Sequence, residues 1–339
     1  MAFILNIGTA VPNNSLTQDE FYAKYEPLID DAKTRRKLNF LVNRSAISKR
    51  HCVDTNLFEL TTLSIYEKLN MYHKHAVNLA KQAILANPAF EASKQKITDI
   101  ITISCTGMQA PGVEIDLINE LGLNASIRRY NINFMGCYAA ITGLRLAQEI
   151  CSKPNRTVLL VSVELCTLHF QAASSDDYLL SNSLFADGSA SVIISSDKSD
   201  AKLQLVDFES RIIPKTKNDM SWKISDTGFL MTLSAAVPSQ IQNSLALKSL
   251  FNKIPSEVNW AIHPGGKQIV SGIQKLLSLD KEQVEHSFKI LKTYGNMSSA
   301  TILFVLKEML SNPQNKNKEI VGCAFGPGLT LESMLLEYV

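Results

Sequence analysis

Dense apolar runs alternate with helically spaced apolar positions along most of the 339-residue chain. The runs "ITDIITISC" (97–105), "RTVLLVSVELC" (156–166) and "SASVIISS" (189–196) are bounded by polar turns and rich in β-branched residues, so each predicts a strand. "VNWAIHP" (258–264), "EIVGCAFGPG" (319–328) and "ESMLLEYV" (332–339) predict strands in the second half. Their dense apolarity suits strands buried on both faces. Helices are predicted for 75–87, 266–278, 298–310 and the stretch after Cys137, where Ala140, Leu144, Ala147 and Cys151 share one face. Cys137 therefore stands at a strand-to-helix turn. Strands and helices alternating in this way describe an α/β protein.

The polar, least regular region, 198–228, separates two comparably ordered parts, so the expected division is an N-terminal half, 1–200, and a C-terminal half, 201–339. A second polar patch, "SNPQNKNKE" (311–319), reads as a surface loop.

Composition narrows the picture. Only 19% of residues are charged and 45% are hydrophobic, which implies much buried surface, a subunit interface included. A net charge of +2 without a dense basic run interleaved with aromatics argues against nucleic acid. The most basic stretch, 33–50, reads either as a solvated helix face or as an anion site for phosphates. The N-terminus lacks a cationic, apolar leader and no stretch has 18 uninterrupted apolar residues, so the expectation is a cytoplasmic protein with no membrane partner. Six scattered cysteines without CxxC spacing point to neither zinc nor disulfides. His73 and His75, two apart, face opposite sides of a helix and cannot chelate one ion, so no metal site is expected.

Chemistry concentrates at three positions. Cys137 follows Gly136, which lets the chain turn beside the sulfur, and a following helix lowers a thiol's pKa through its unsatisfied N–H groups. Buried free cysteines are common, so these local signals leave a nucleophile and an inert core thiol both open. His263 ends an apolar strand before Pro264, Gly265 and Gly266, where the glycines leave room for a ligand; a satisfied core histidine is the alternative. Asn296 precedes a helix opening with Ser298 and Ser299, and reads as a cap or as a donor to an oxyanion.

The ordered segments "MGCYAAITGLRLA", "LFADGSASVII", "WAIHPGGKQIV", "YGNMSSATILFVLKEM" and "FGPGLTLESMLL" resemble the motif set of type III polyketide synthases, the chalcone-synthase-like family. The resemblance extends from "ILNIGTAVP" to the C-terminus. It implies a thiolase-like αβαβα layered sandwich of two pseudo-duplicated halves, acting as a homodimer. It also implies Cys137 as acyl-carrying nucleophile, His263 as its ion-pair partner, and Asn296 with His263 as the oxyanion site. The substrates it implies are an acyl-CoA starter and malonyl-CoA, with no cofactor. Decarboxylative Claisen extension on Cys137 would then be followed by cyclisation or lactonisation.

Further positions follow from the same resemblance. Phe185 matches a gatekeeper between a CoA tunnel and a cavity, while Lys37 and Arg44 align with basic residues that hold CoA phosphates; a third basic position is Phe40 here. Met231 stands where a second gatekeeper phenylalanine is frequent, Trp222 replaces a cavity glycine, and Cys105, Cys166 and His169 match small threonines. Gly265, Gly266 and Ser298 complete the expected substrate-binding set. Two other chemistries share a Cys/His/Asn trio: a β-ketoacyl synthase III-like enzyme making one extension, and a thioester hydrolase.

Overall fold

The computed structural model describes residues 1–172, 174–242, 258–312 and 319–339. The strands are β1 (Ala2–Ala10), β2 (Ser15–Thr17), β3 (Lys49–His51), β4 (Asp99–Ser104), β5 (Arg128–Asn133), β6 (Thr157–Leu165) and β7 (Asp187–Ser195) in the first half. The second half has β8 (Leu203–Ile212), β9 (Met220–Ser225), β10 (Gly228–Leu233), β11 (Asn259–Ile262), β12 (Ile320–Gly326) and β13 (Thr330–Tyr338). All six predicted strands are present, shifted at their ends by one or two residues.

Nine strands join in the order β11-β12-β13-β8-β1-β7-β6-β4-β5. β1 runs antiparallel to β7, β7 antiparallel to β6, and β6 parallel to β4. The same pattern repeats as β8 with β13, β13 with β12, and β12 with β11. The chain is therefore a structural repeat that no short sequence repeat discloses. Among the described strands, the two sets are joined edge to edge where Ala2–Ile4 pair with Leu203–Leu205.

Alternating side chains separate the layers, because successive residues of a strand face opposite sides. Ile100, Leu159 and Val161 pack beneath the outer helix Ile65–Leu85. Ile101, Val158 and Leu160 face a central cluster with two helices, Ala139–Cys151 and Thr301–Leu310. Ile320 and Ala324 of β12 close that cluster from the other side, while Val321 and Cys323 turn outward to the helices Lys267–Leu277 and Lys281–Tyr294. The result is helix, sheet, helix, sheet, helix. Thr301–Leu310 is apolar around most of its surface because it is covered on both sides, whereas Ala139–Cys151 keeps Arg145, Gln148 and Glu149 on a partly exposed side. Gly143 suits that packing: a Cβ there would come within 2.6 Å of Ile103 Cδ1.

Three expectations need adjustment. The helix predicted over 75–87 spans Ile65–Leu85 and starts at a capping box on Ser64, whose side chain and that of Glu67 satisfy each other's backbone. The region 198–228 is not irregular; it carries β8 and β9, whose mixed polarity reflects partial exposure. Within 311–319, residues 313–318 lie outside the described residues. No described helix is long and apolar enough to cross a membrane.

Candidate active site

The two central helices deliver the candidate residues. Gly136 adopts φ +88°, a region that glycine enters without strain, and a Cβ there would sit 2.3 Å from Pro327 Cδ. This turn sets Cys137 just before the helix Ala139–Cys151. In the other half, Asn296 and Ser298 stand just before the equivalent helix, Thr301–Leu310. Cys137 Sγ lies 3.7 Å from Ser298 Oγ, within reach of a weak S–H···O bond. Ser298 holds φ +47°, a strained value for a non-glycine residue.

The orientation of the Asn296 amide follows from its bonds. Its Oδ1 accepts from the Ser298 N–H at 2.9 Å, and its Nδ2 donates to the Gly265 carbonyl at 3.2 Å. The cap and donor readings thus coexist, since the oxygen caps while Nδ2 keeps a second hydrogen. His263 directly follows β11, its N–H donating to the Cys323 carbonyl at 2.8 Å. Neither ring nitrogen has a partner among the described residues. A Cβ on Gly265 would make ordinary 3.6 Å contact with this ring, and one on Gly266 would meet Leu184.

Burial decides the resting charges. It pushes the Cys137 thiol up to about 12; a hydrogen bond from Ser298 opposes this, the charge of Glu164 adds to it, and Asn296 lowers it. Burial alone takes His263 down to about 3. Burial thus opposes charging of either group taken singly, because each charge would lose its hydration. Glu164, fully buried at the end of β6, accepts from Thr106 Oγ1 at 2.8 Å, from the Cys105 N–H at 3.0 Å and from Ser299 Oγ. Burial raises its pKa while these donors hold it down. An acid inside the apolar run "VLLVSVELC" was the signal that could have marked it.

Beside the trio lies a cavity that opens to solvent. Phe185, Trp222, Met231, His169 and Cys166 line it, as do Phe21, Arg50 and Phe229. Phe185 joins the two regions, because its backbone bridges to Asn296. Trp222 and Met231 are direct partners across the β9–β10 hairpin. The indole N–H donates to the Cys105 carbonyl at 2.6 Å. Cys105 is not among the residues lining the cavity; its sulfur accepts from the Gly136 N–H at 3.0 Å and so supports the turn that precedes Cys137.

His169 offers the cavity no free polar atom. Its Nδ1 accepts from the Phe229 N–H and its Nε2 donates to the Thr106 carbonyl at 2.6 Å, which assigns the tautomer. The ring stacks on Phe229 at 4.1 Å. It is a wall.

Lys37 and Arg44 stand apart from the trio on the exposed face of the helix Ala32–Arg44, which packs on the cavity-lining helix Asp176–Leu184. Lys37 pairs with Asp176, and the Arg44 guanidinium lies 5.0 Å from the Phe40 ring centroid. His73 pairs with Asp116 at 2.8 Å, and the described residues hold no cluster of three metal-ligating side chains.

Comparisons with known proteins agree with this geometry. Residues 1–198 match the family "Chalcone and stilbene synthases, N-terminal domain", and 204–339 match the corresponding C-terminal domain. Type III polyketide synthase A of Arabidopsis thaliana is 30% identical, over 99% of this chain and 92% of that protein. A putative chalcone synthase of Bacillus subtilis is 31% identical, over 100% and 99%. Probable polyketide synthase 1 of Dictyostelium discoideum is also 31% identical over the whole chain, which spans only 11% of that protein's length. Among solved structures, the C-terminal type III polyketide synthase domain of Steely1 from Dictyostelium superposes with a TM-score of 0.93 at 30% identity, covering 100% of this chain and 99% of that one. The fungal type III polyketide synthase ORAS gives 0.88 at 25% identity, with both chains fully covered.

Proposed function

From the premise that this chain belongs to the chalcone and stilbene synthase family and is a type III polyketide synthase, we propose that Cys137 carries the growing acyl chain. One observation supports this most: each half of the repeat brings its central helix to the same point, so that Cys137 meets Ser298 and Asn296 beside a cavity.

Loading begins with a proton. The neutral His263 ring, with both nitrogens unpartnered, takes it from the Cys137 thiol, and the thiolate attacks the carbonyl carbon of an acyl-CoA. The CoA thiolate leaves and recovers the proton. Malonyl-CoA then loses CO₂, and its enolate oxygen is held by the free Asn296 N–H and by His263. The enolate carbon attacks the Cys137 thioester, forming a C–C bond and releasing the thiolate. The extended chain, now a CoA thioester, is taken back by the Cys137 thiolate with loss of CoA; each round adds two carbons, and ring closure in the cavity yields a small resorcinol, pyrone or phloroglucinol.

The test is incubation with malonyl-CoA and aromatic or fatty acyl-CoA starters, followed by mass spectrometry. Multiply extended products without carrier protein are expected from the wild type, and none from Cys137→Ala. Asn296→Ala should lower malonyl-CoA decarboxylation roughly 100- to 1,000-fold while acylation of Cys137 persists in the intact protein mass. A single carrier-dependent extension, or free acid without CO₂, would overturn the reading.

A second copy of the chain is the proposed partner. Among the described residues β5 pairs with β4 alone, leaving one edge of Arg128–Asn133 open with its residues exposed or half-buried. Such edges invite pairing with another chain. Sedimentation equilibrium should give twice the chain mass; a monomer at micromolar concentration would argue against it.

A further inference from the structure

One buried cation borders the cavity without a role in the steps above. Arg50 is 5% exposed, and its stem packs against Gly295. Its guanidinium carbon lies 3.9 Å from the Phe21 ring centroid, and Nη1 donates to the Asn182 and Phe185 carbonyls at 2.6 and 2.8 Å. Phe21, Asn182 and Phe185 line the cavity together with Arg50, so the guanidinium packs among its lining residues, with Nε and Nη2 buried behind that surface. Nε and Nη2 have no hydrogen-bond partner among the described residues. Asp187 is close enough to act on Arg50 electrostatically, but its carboxylate takes the N–H and hydroxyl of Thr167 and the N–H of Val53.

Nε and Nη2 form one side of the guanidinium, the side that grips two oxygens at once. Buried donors without a protein partner are unfavourable, and a ligand supplying two acceptor oxygens relieves that. Among the described residues lining the cavity, Arg50 alone has a permanently charged side chain. The malonyl chemistry supplies a matching group. From the second extension onward the chain holds a 1,3-diketone, a 1,3-dicarbonyl separate from its thioester, whatever the starter.

We propose that the Nε–Nη2 side of Arg50 binds an ionised 1,3-dicarbonyl of the chain growing on Cys137, and so makes the cavity favour the enolate from which ring closure begins. The methylene between the carbonyls loses its proton to solvent water, and the charge spreads over two oxygens that accept from the two nitrogens. Arg50 is here a specificity-determining residue, and the assignment rests on the polyketide reading above.

The experiment uses the full-length Cys137→Ala protein, which has no thiol at the nucleophile position, with nonane-2,4-dione as probe. The ultraviolet band of the enolate, followed against pH, reports ionisation of the bound diketone. With Arg50 present, half-ionisation should fall at least about one pH unit below that of the free diketone. Arg50→Met should abolish the shift and Arg50→Lys should reduce it. Absence of binding, ionisation at the free value, or an undiminished shift in Arg50→Met would each overturn the proposal. Should Arg50→Met fail to fold, as circular dichroism would show, the Cys137→Ala measurement decides alone. Failure of the polyketide reading is seen separately, as wild-type protein making no multiply extended product.

Discussion

Trp222 has the most direct leverage on what the cavity admits. Its indole is fixed by the bond to the Cys105 carbonyl and stands edge-on to His169 and Phe229, at 5.7 and 5.8 Å between ring centroids. Trp222→Gly should remove this wall and give longer or differently closed products, read by mass spectrometry. Unchanged product lengths would show that the indole does not limit the chain. At this scale the sequence disclosed the residue types but not their relations. Trp222, Met231 and His169 all reached the cavity wall, yet that His169 spends both nitrogens on backbone groups depended on the positions of Thr106 and Phe229, distant along the chain. Arg50 carried no local signal, since it reads as one more cation in a basic stretch.

At the level of elements, the site depends on how two helices begin. The Gly136 turn is constrained twice, by its positive φ and by the Pro327 ring from the second half. Gly136→Ala should cost about 1–3 kcal/mol from backbone strain alone, with more from the clash, and should displace Cys137. Urea unfolding would report the first effect and the rate of thiol alkylation the second. Unaltered stability would mean that the turn relaxes freely. The repeat also gives the trio a common logic. Cys105 directly follows β4 as His263 directly follows β11, so a support of the Gly136–Cys137 turn and the candidate base occupy equivalent places. Strand and helix identities were legible because period-2 and 3.6-residue patterns are local. The start at Ser64 and the strand in 198–228 were less so, because a capping box outside the apolar run and a partly exposed strand leave weak periodicity.

Across the whole molecule, buried ionisable groups couple stability to pH. His169 and His263 are each taken from 6.5 down to about 3 by burial. Below pH 6.5 the unfolded chain binds protons that the folded protein refuses, so stability falls as pH drops from 6.5 toward 3. Asp187 acts oppositely: burial pushes it from 3.8 up to about 6, and the folded protein gains stability as pH falls through that window. His169→Phe should therefore shrink the loss between pH 7 and pH 5 by about 2 kcal/mol, measured by urea unfolding at both values. An unchanged pH dependence would contradict the neutral burial of this ring. The sequence by itself determined the α/β class, the strand-to-helix turn at Cys137 and the family, because periodicity, turn chemistry and ordered motifs reside in contiguous residues. Only the tertiary structure decided that two halves repeat one topology and that Cys137 meets Ser298. It also decided which face of Arg50 lacks a partner. Those facts depend on contacts between residues more than a hundred positions apart, and burial rather than residue type sets which polar groups are satisfied and which are charged.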